Sequence, residues 1–230
     1  MKRIKLLSLM LALVMLLSMF MTGCNKEDGG KTEPTTPEGV DPNLSLGIIE
    51  DYTYTNKYMG IALTLDESWT LSSAKELQDL PDAVEGMVEG TLVGEAMKNV
   101  TYYMDMQATT TSGDNIYSIN VVMEQLTAVK KNMYKNMTNE DILDATLQAK
   151  DLMIQSYEAM GMRNIEMEKT QAQYLGKTCA VLKTTATLYN QPYTILQVLD
   201  YTLGEYSGTL TVACMGEDNT AELLAMFTAI

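Results

Sequence analysis

The sequence predicts an α+β domain with a single antiparallel β-sheet flanked by helices. Three stretches carry that prediction. Residues 164–214 read as β-rich segments joined by short turns, the pattern of an antiparallel meander. Residues 101–126 read as two more strands around a loop. Residues 138–161 hold a helical period with separate polar and apolar faces.

In chain order, Tyr52–Tyr58 and Gly60–Leu65 alternate as strands, with Asn56-Lys57 as the turn and Trp69 closing the unit. Ser72–Leu80 suits a short helix stopped by Pro81. Asp82–Val100 repeats apolar residues at helical spacing but also sets Gly86, Gly90 and Gly94 four apart on one face. Three glycines cost a helix about 3 kcal/mol relative to alanine, so this segment is weakly helical or partly irregular. A stripe of that kind lets another backbone approach closely, and the segment is also read as a plain connection packed on the core.

Thr101–Thr110 and Ile116–Leu126 are strands around the loop Ser112–Asn115. Thr138 is a good N-cap with Asp141 three residues on, and Gly161 is the C-cap. Between them Asp141, Asp144, Gln148, Asp151, Gln155 and Glu158 share one face, and Ile142, Thr146, Ala149, Met153 and Met160 another. The meander follows, with turns at Leu175-Gly176-Lys177, Asn190-Gln191 and Gly204-Glu205. Asp218 or Asn219 caps a last helix from Ala221 to about Thr228 that buries Leu223, Leu224 and Phe227.

Ahead of the domain lies a different kind of sequence. Lys2, Arg3 and Lys5 precede an apolar run from Leu6 to Phe20, which stops at Thr22-Gly23-Cys24. A basic start, an apolar run of this length and small residues make a secretory signal, and the run is shorter than the about 20 residues of a spanning helix. Met21-Thr22-Gly23-Cys24 resembles the lipobox of bacterial lipoproteins. The resemblance implies cleavage before Cys24, lipid on its sulfur, and residence on the outer face of the cell membrane. Residues 1–23 are then a signal peptide and 24–47 a tether rich in Gly, Pro, Thr and Glu, too poor in apolar residues to fold. Residues 48–230 are one domain.

Removing Lys2, Arg3 and Lys5 leaves 13 basic against 30 acidic side chains, a net charge of −17. Such a surface repels phosphate backbones, so nucleic acid is not an expected partner. The sequence has no histidine. That removes the commonest general base and the Ser-His and Cys-His nucleophile systems, and the reading is of a non-enzyme. No phosphate-binding loop, dinucleotide fingerprint, EF-hand loop or CxxC pair is present, and no cofactor is expected. Asp144 and Asp151, about 10 Å apart along one helix, are candidates for a cation or a basic partner, weighed against a plain solvated face. The methionine pairs Met104-x-Met106 and Met160-x-Met162 are read as core filler before copper ligands. Cys179 and Cys214 fall on strands with one strand between them, about 9–10 Å apart, beyond the about 7 Å a disulfide tolerates.

The stretch from Asn56 to Leu65, followed by Trp69, also resembles the opening of PsbP-like domains: a short hairpin, a Gly, an alternating strand and a Trp. That resemblance implies a closing meander, a C-terminal helix and a non-catalytic docking domain. The functional expectation is therefore a membrane-anchored protein-interaction or assembly module with an envelope protein partner. A small-ligand or divalent-cation binding lipoprotein is the alternative.

Overall fold

The computed structural model describes residues 47–73, 75–77, 100–200 and 204–230. Its elements are β1 (Ile48–Glu50), β2 (Thr53–Asn56), β3 (Ile61–Thr64), β4 (Thr70–Leu71), β5 (Tyr102–Ser112), β6 (Asn115–Gln125), α1 (Ala128–Tyr134), α2 (Asn139–Gln148), α3 (Lys150–Ala159), β7 (Arg163–Tyr174), β8 (Lys177–Leu188), β9 (Gln191–Asp200), β10 (Tyr206–Met215), α4 (Thr220–Ala225) and β11 (Phe227–Ala229). The class is α+β, as expected. The single sheet is corrected to two: a four-stranded sheet ordered β1-β2-β3-β11 and a seven-stranded sheet ordered β4-β5-β6-β10-β9-β8-β7.

The larger sheet is covered on both sides, and β10, near its middle, is buried at all ten positions. One face packs α2 and α3 through Ile142, Leu143, Met153 and Tyr157 against Leu182, Ile195 and Leu199. The other face packs the small sheet and α4, with Tyr54, Leu63, Leu224 and Phe227 against Ile119, Val121, Leu210 and Val212. Strand alternation produces this division, since neighbours along β6 or β10 point to opposite faces.

The turns follow their residues. Gly113 takes φ +59 between β5 and β6, and the pairs Leu175-Gly176 and Tyr189-Asn190 take positive φ at both positions. That is the two-residue geometry whose twist suits an antiparallel hairpin.

Two helix expectations are revised. The segment 138–161 begins as expected, with Asp141 N–H donating to Thr138 Oγ1 and Thr138 N–H to Asp141 Oδ2. It then breaks at Ala149, whose φ of −98° and ψ of 16° leave the helical region. The Thr146 hydroxyl donates to the Ile142 carbonyl, and Ala149 N–H donates to the Thr146 carbonyl, three residues back. Both contacts tighten and bend the last turn. The closing helix stops at Ala225, because Phe227–Ala229 pairs with β3 as a strand, Phe227 opposite Leu63. Leu223, Leu224 and Phe227 are buried all the same.

Met104 and Met106 sit on opposite faces of β5, in separate cores, because a bulge intervenes at Asp105. They form packing, not a ligand pair. Cys179 and Cys214 are both free. β9 lies between their strands, and Cys214 is level with Thr194 and hence Thr185, six residues along β8 from Cys179. That offset adds about 20 Å to the sideways gap. Burial pushes the Cys214 thiol up to about 12 and raises that of Cys179. Thiol titration of the unreduced domain, residues 47–230, should count these two in denaturant, with Cys214 silent in the native state; a count of zero would contradict the strand order.

Candidate binding face and the Asp105 cluster

Reading across the helix-side face of the larger sheet shows an unusual row. Gln107 on β5 lies opposite Asn120 on β6, Asn120 opposite Thr211 on β10, and Thr211 opposite Gln197 on β9. All four are at most 1% exposed. The rows beside it add Ser118, Thr184 and Thr209 on the same face, equally buried. The corresponding positions on the opposite face are Ala108, Ile119, Val212 and Leu196, which are apolar. Alternating polar and apolar residues normally place the polar face in water. Here that face is inside.

Buried polar groups are normally paired, and leaving one unpaired costs about 1–3 kcal/mol. Gln197 Nε2 donates to Thr211 Oγ1 at 3.3 Å. Yet no protein group pairs with Asn120 Oδ1 or Nδ2, Gln197 Oε1, Ser118 Oγ, Thr184 Oγ1 or Thr209 Oγ1. The hydroxyls of Tyr193, four residues along β9 from Gln197, and of Tyr157 on α3 are also unpaired. Both tyrosines belong to the core on this side of the sheet. Their phenol pKa values are raised by burial, so both stay neutral. The row from Gln107 to Gln197 therefore presents amides and hydroxyls, and the charged groups described nearby on this face, Glu124 and Lys169, are paired with Lys130 and Asp144.

A second polar cluster sits between the two sheets. The bulge in β5 turns Asp105 inward, where Tyr54 donates to Oδ2 at 2.5 Å and Asn56 Nδ2 to Oδ2 at 2.6 Å. Gly47 N–H donates to Oδ1 at 2.7 Å. Burial raises the Asp105 pKa, opposed by these three hydrogen bonds. A Cβ at Gly47 would collide with the Tyr54 ring, so glycine is needed for the approach. Residue 47 is thus clamped to the fold. At the same end of the sheet, Glu124 on β6 accepts from Lys130 of α1 at 2.5 Å and from Ser207 at 3.4 Å.

Of the residues singled out from the sequence, Cys24, Gly86, Gly90 and Gly94 lie outside the described residues. Asp144 and Asp151 are exposed as expected, but the break at Ala149 puts them on two helices, α2 and α3. Asp144 is engaged by Lys169 Nζ at 2.7 Å. Among the described residues no group of three metal-ligating side chains converges, and no helix is long and apolar enough to cross a membrane.

No family model matches the chain, and no curated protein matches it. Among solved structures, the chain is similar to that of cyanobacterial PsbP (CyanoP) from Synechocystis sp. PCC 6803. The TM-score is 0.41 at 10% identity, over 85% of this chain and 100% of that one. It is also similar to LpqN, involved in cell envelope biogenesis of Mycobacterium tuberculosis. There the TM-score is 0.35 at 11% identity, over 72% of this chain and 75% of the other.

Proposed function

We propose that this chain is a lipid-anchored envelope protein whose α+β domain works by binding rather than by catalysis. The buried polar row carries the reading. Its side chains supply hydrogen-bond donors and acceptors, and no described base is bonded to the Ser118, Thr184 or Thr209 hydroxyl to make it a nucleophile. Among the described residues the two buried carboxylates are committed elsewhere, Asp105 to three donors and Glu124 to Lys130 and Ser207. The anchor is supported by the order of basic start, apolar run and Thr22-Gly23-Cys24. Cys24 holds the lipid, and the segment up to Gly47 spans at most about 80 Å fully extended. The domain would therefore meet its partner near the outer face of the membrane.

Fractionation tests the anchor. Cys24→Ala should move the protein from the membrane to the soluble fraction, and retention of a cleaved product in the membrane would reject lipid attachment. Cross-linking of the full-length protein in its native membrane tests the binding role. Capture of one envelope protein at near-equal stoichiometry would make the chain an accessory subunit. A blank would favour a small ligand.

A further inference from the structure

We propose that the outer edge of β7 takes up an extended, basic segment of a partner protein as an added strand. The inference rests on the reading of the domain as a binding module and says how the partner is held. The two sheets have four edges, β1 and β11 on the smaller and β4 and β7 on the larger. Three of these strands have two or three residues, and β7 has twelve. Proteins guard a long edge against stray pairing with prolines, lysines, bulges or a covering element. β7 has no proline, and its bulge lies at its start, between Arg163 and Glu166. From Glu166 to Tyr174 it runs in unbroken register with β8. Its one lysine, Lys169, is turned onto Asp144. Among the described residues no strand pairs with its outer side.

The backbone of that edge is set to pair. Lys150 Nζ donates to the Met167 carbonyl at 3.0 Å, so this carbonyl points off the sheet and not into the β8 ladder. Alternation along an antiparallel strand gives Lys169, Gln171 and Gln173 the same outward orientation. The N–H and C=O groups of these three span about 14 Å and suit a strand lying about 4.8 Å away. Lys150 occupies only the first position of the row.

Charge selects the occupant. A cleft of about 380 Å³ runs along the same stretch, lined by Lys150, Glu166, Met167, Glu168, Lys183 and Thr185. Its lysines are engaged, Lys150 by the Met167 carbonyl and Lys183 by Asp218 at 3.2 Å. Its carboxylates are exposed, and neither has an ion-pair partner among the described residues. Lysine or arginine at alternate positions of the added strand would stand directly across from Glu166 and Glu168. A second copy of this chain fits less well. Two-fold pairing about Met167 sets Glu166 against Glu168, pairing about Glu168 sets that residue against itself, and pairing about Lys169 opposes two lysines. Each copy also carries a net charge of −14, which repels its like.

The test uses the full-length protein in a zwitterionic detergent. The probe is a blocked nine-residue peptide alternating lysine and valine, and the control carries glutamate in place of lysine. With the lysine peptide the amides of Lys169, Gln171 and Gln173 should exchange with solvent at least about tenfold more slowly, and the control should leave them unchanged. Gln171→Pro removes one outward N–H and puts a ring in the path of the added strand, with no bond to β8 lost. It should abolish that protection. Should it fail to fold, Glu166→Gln combined with Glu168→Gln, both exposed, should weaken peptide binding about two- to thirtyfold. Absence of protection at these amides overturns the proposal, as does equal protection by the control peptide or binding that the variants leave unchanged. A dimer that Gln171→Pro dissolves would make a second copy the occupant and overturn the basic partner. If cross-linking in the native membrane captures one envelope protein equally well with wild type and Gln171→Pro, the edge is rejected and the binding module stands.

Discussion

Asp105→Ala should lower the unfolding free energy by about 3–5 kcal/mol, read from the midpoint of urea melts at neutral pH. The substitution strands three donors in a dry interface: the Tyr54 hydroxyl, the Asn56 amide and the Gly47 N–H. Each unpaired donor costs about 1–3 kcal/mol, and the three are too close to be independent, so the sum falls short of full additivity. A loss below about 1 kcal/mol would show that water replaces the carboxylate there.

The same residue sets a pH dependence of definite sign. Burial raises the folded-state pKa of Asp105 above its ordinary 3.8. Between those values the folded chain holds a proton that the unfolded chain has lost. Its contribution to stability is therefore complete below 3.8 and is lost as pH rises through the raised value. Asp105→Asn cannot titrate. The difference in stability between wild type and Asp105→Asn should shrink in wild type's disfavour as pH climbs through that window, and a flat difference would contradict the burial.

Lys130→Ala is the other large effect. Glu124 is 1% exposed and Lys130 8%, so the pair is screened little by solvent. Removing one partner of a buried pair typically costs about 3–5 kcal/mol, because the remaining charge has no compensation. Glu124 already has a raised pKa, from burial, which Lys130 opposes. Without Lys130 that value must rise further. The loss should be large at pH 8 and smaller once acid protonates Glu124. Equal losses at both pH values would mean that Glu124 is solvated in the variant.

Local signals were legible in the sequence where local physics decides. The Thr138–Asp141 cap and the turns at Gly113 and Leu175-Gly176 lie where their residues point, and the acidic residues from Asp141 to Glu158 are exposed as read, though on two helices and not one. The separation of Cys179 from Cys214 followed from the meander alone. The two-sheet arrangement was hidden, because whether β2 and β3 join the large sheet depends on their pairing with a segment more than 160 residues away. Phe227 and Thr228 read as the end of a helix because the apolar spacing of Leu223, Leu224 and Phe227 suits that form. The Ala149 break was hidden too, since alanine is the best helix former and the cause is the bonding of its neighbours.

The row of Asn120, Thr211 and Gln197 was the least legible of all. Each sits in ordinary strand alternation, and nothing in one strand reveals that four strands bring their polar positions into line under a cover. What could have signalled it is composition. Strands β6, β9 and β10 are interior strands of the sheet, yet they keep amides and hydroxyls on one side of the alternation, where an interior strand would be apolar on both.

The pairing of β11 with β3 has a consequence in time. A ribosome makes the hairpin of β2 and β3 early and Phe227–Ala229 at the far end of the same sheet, where Ile230 N–H also bonds to the Gly60 carbonyl. β6 likewise waits for β10, which is made some eighty residues later. Neither layer can be completed on a growing chain, and such long-range closure is slow. Neither sheet is complete until Phe227–Ala229 and β10 have been made, so the domain folds in a late step rather than element by element.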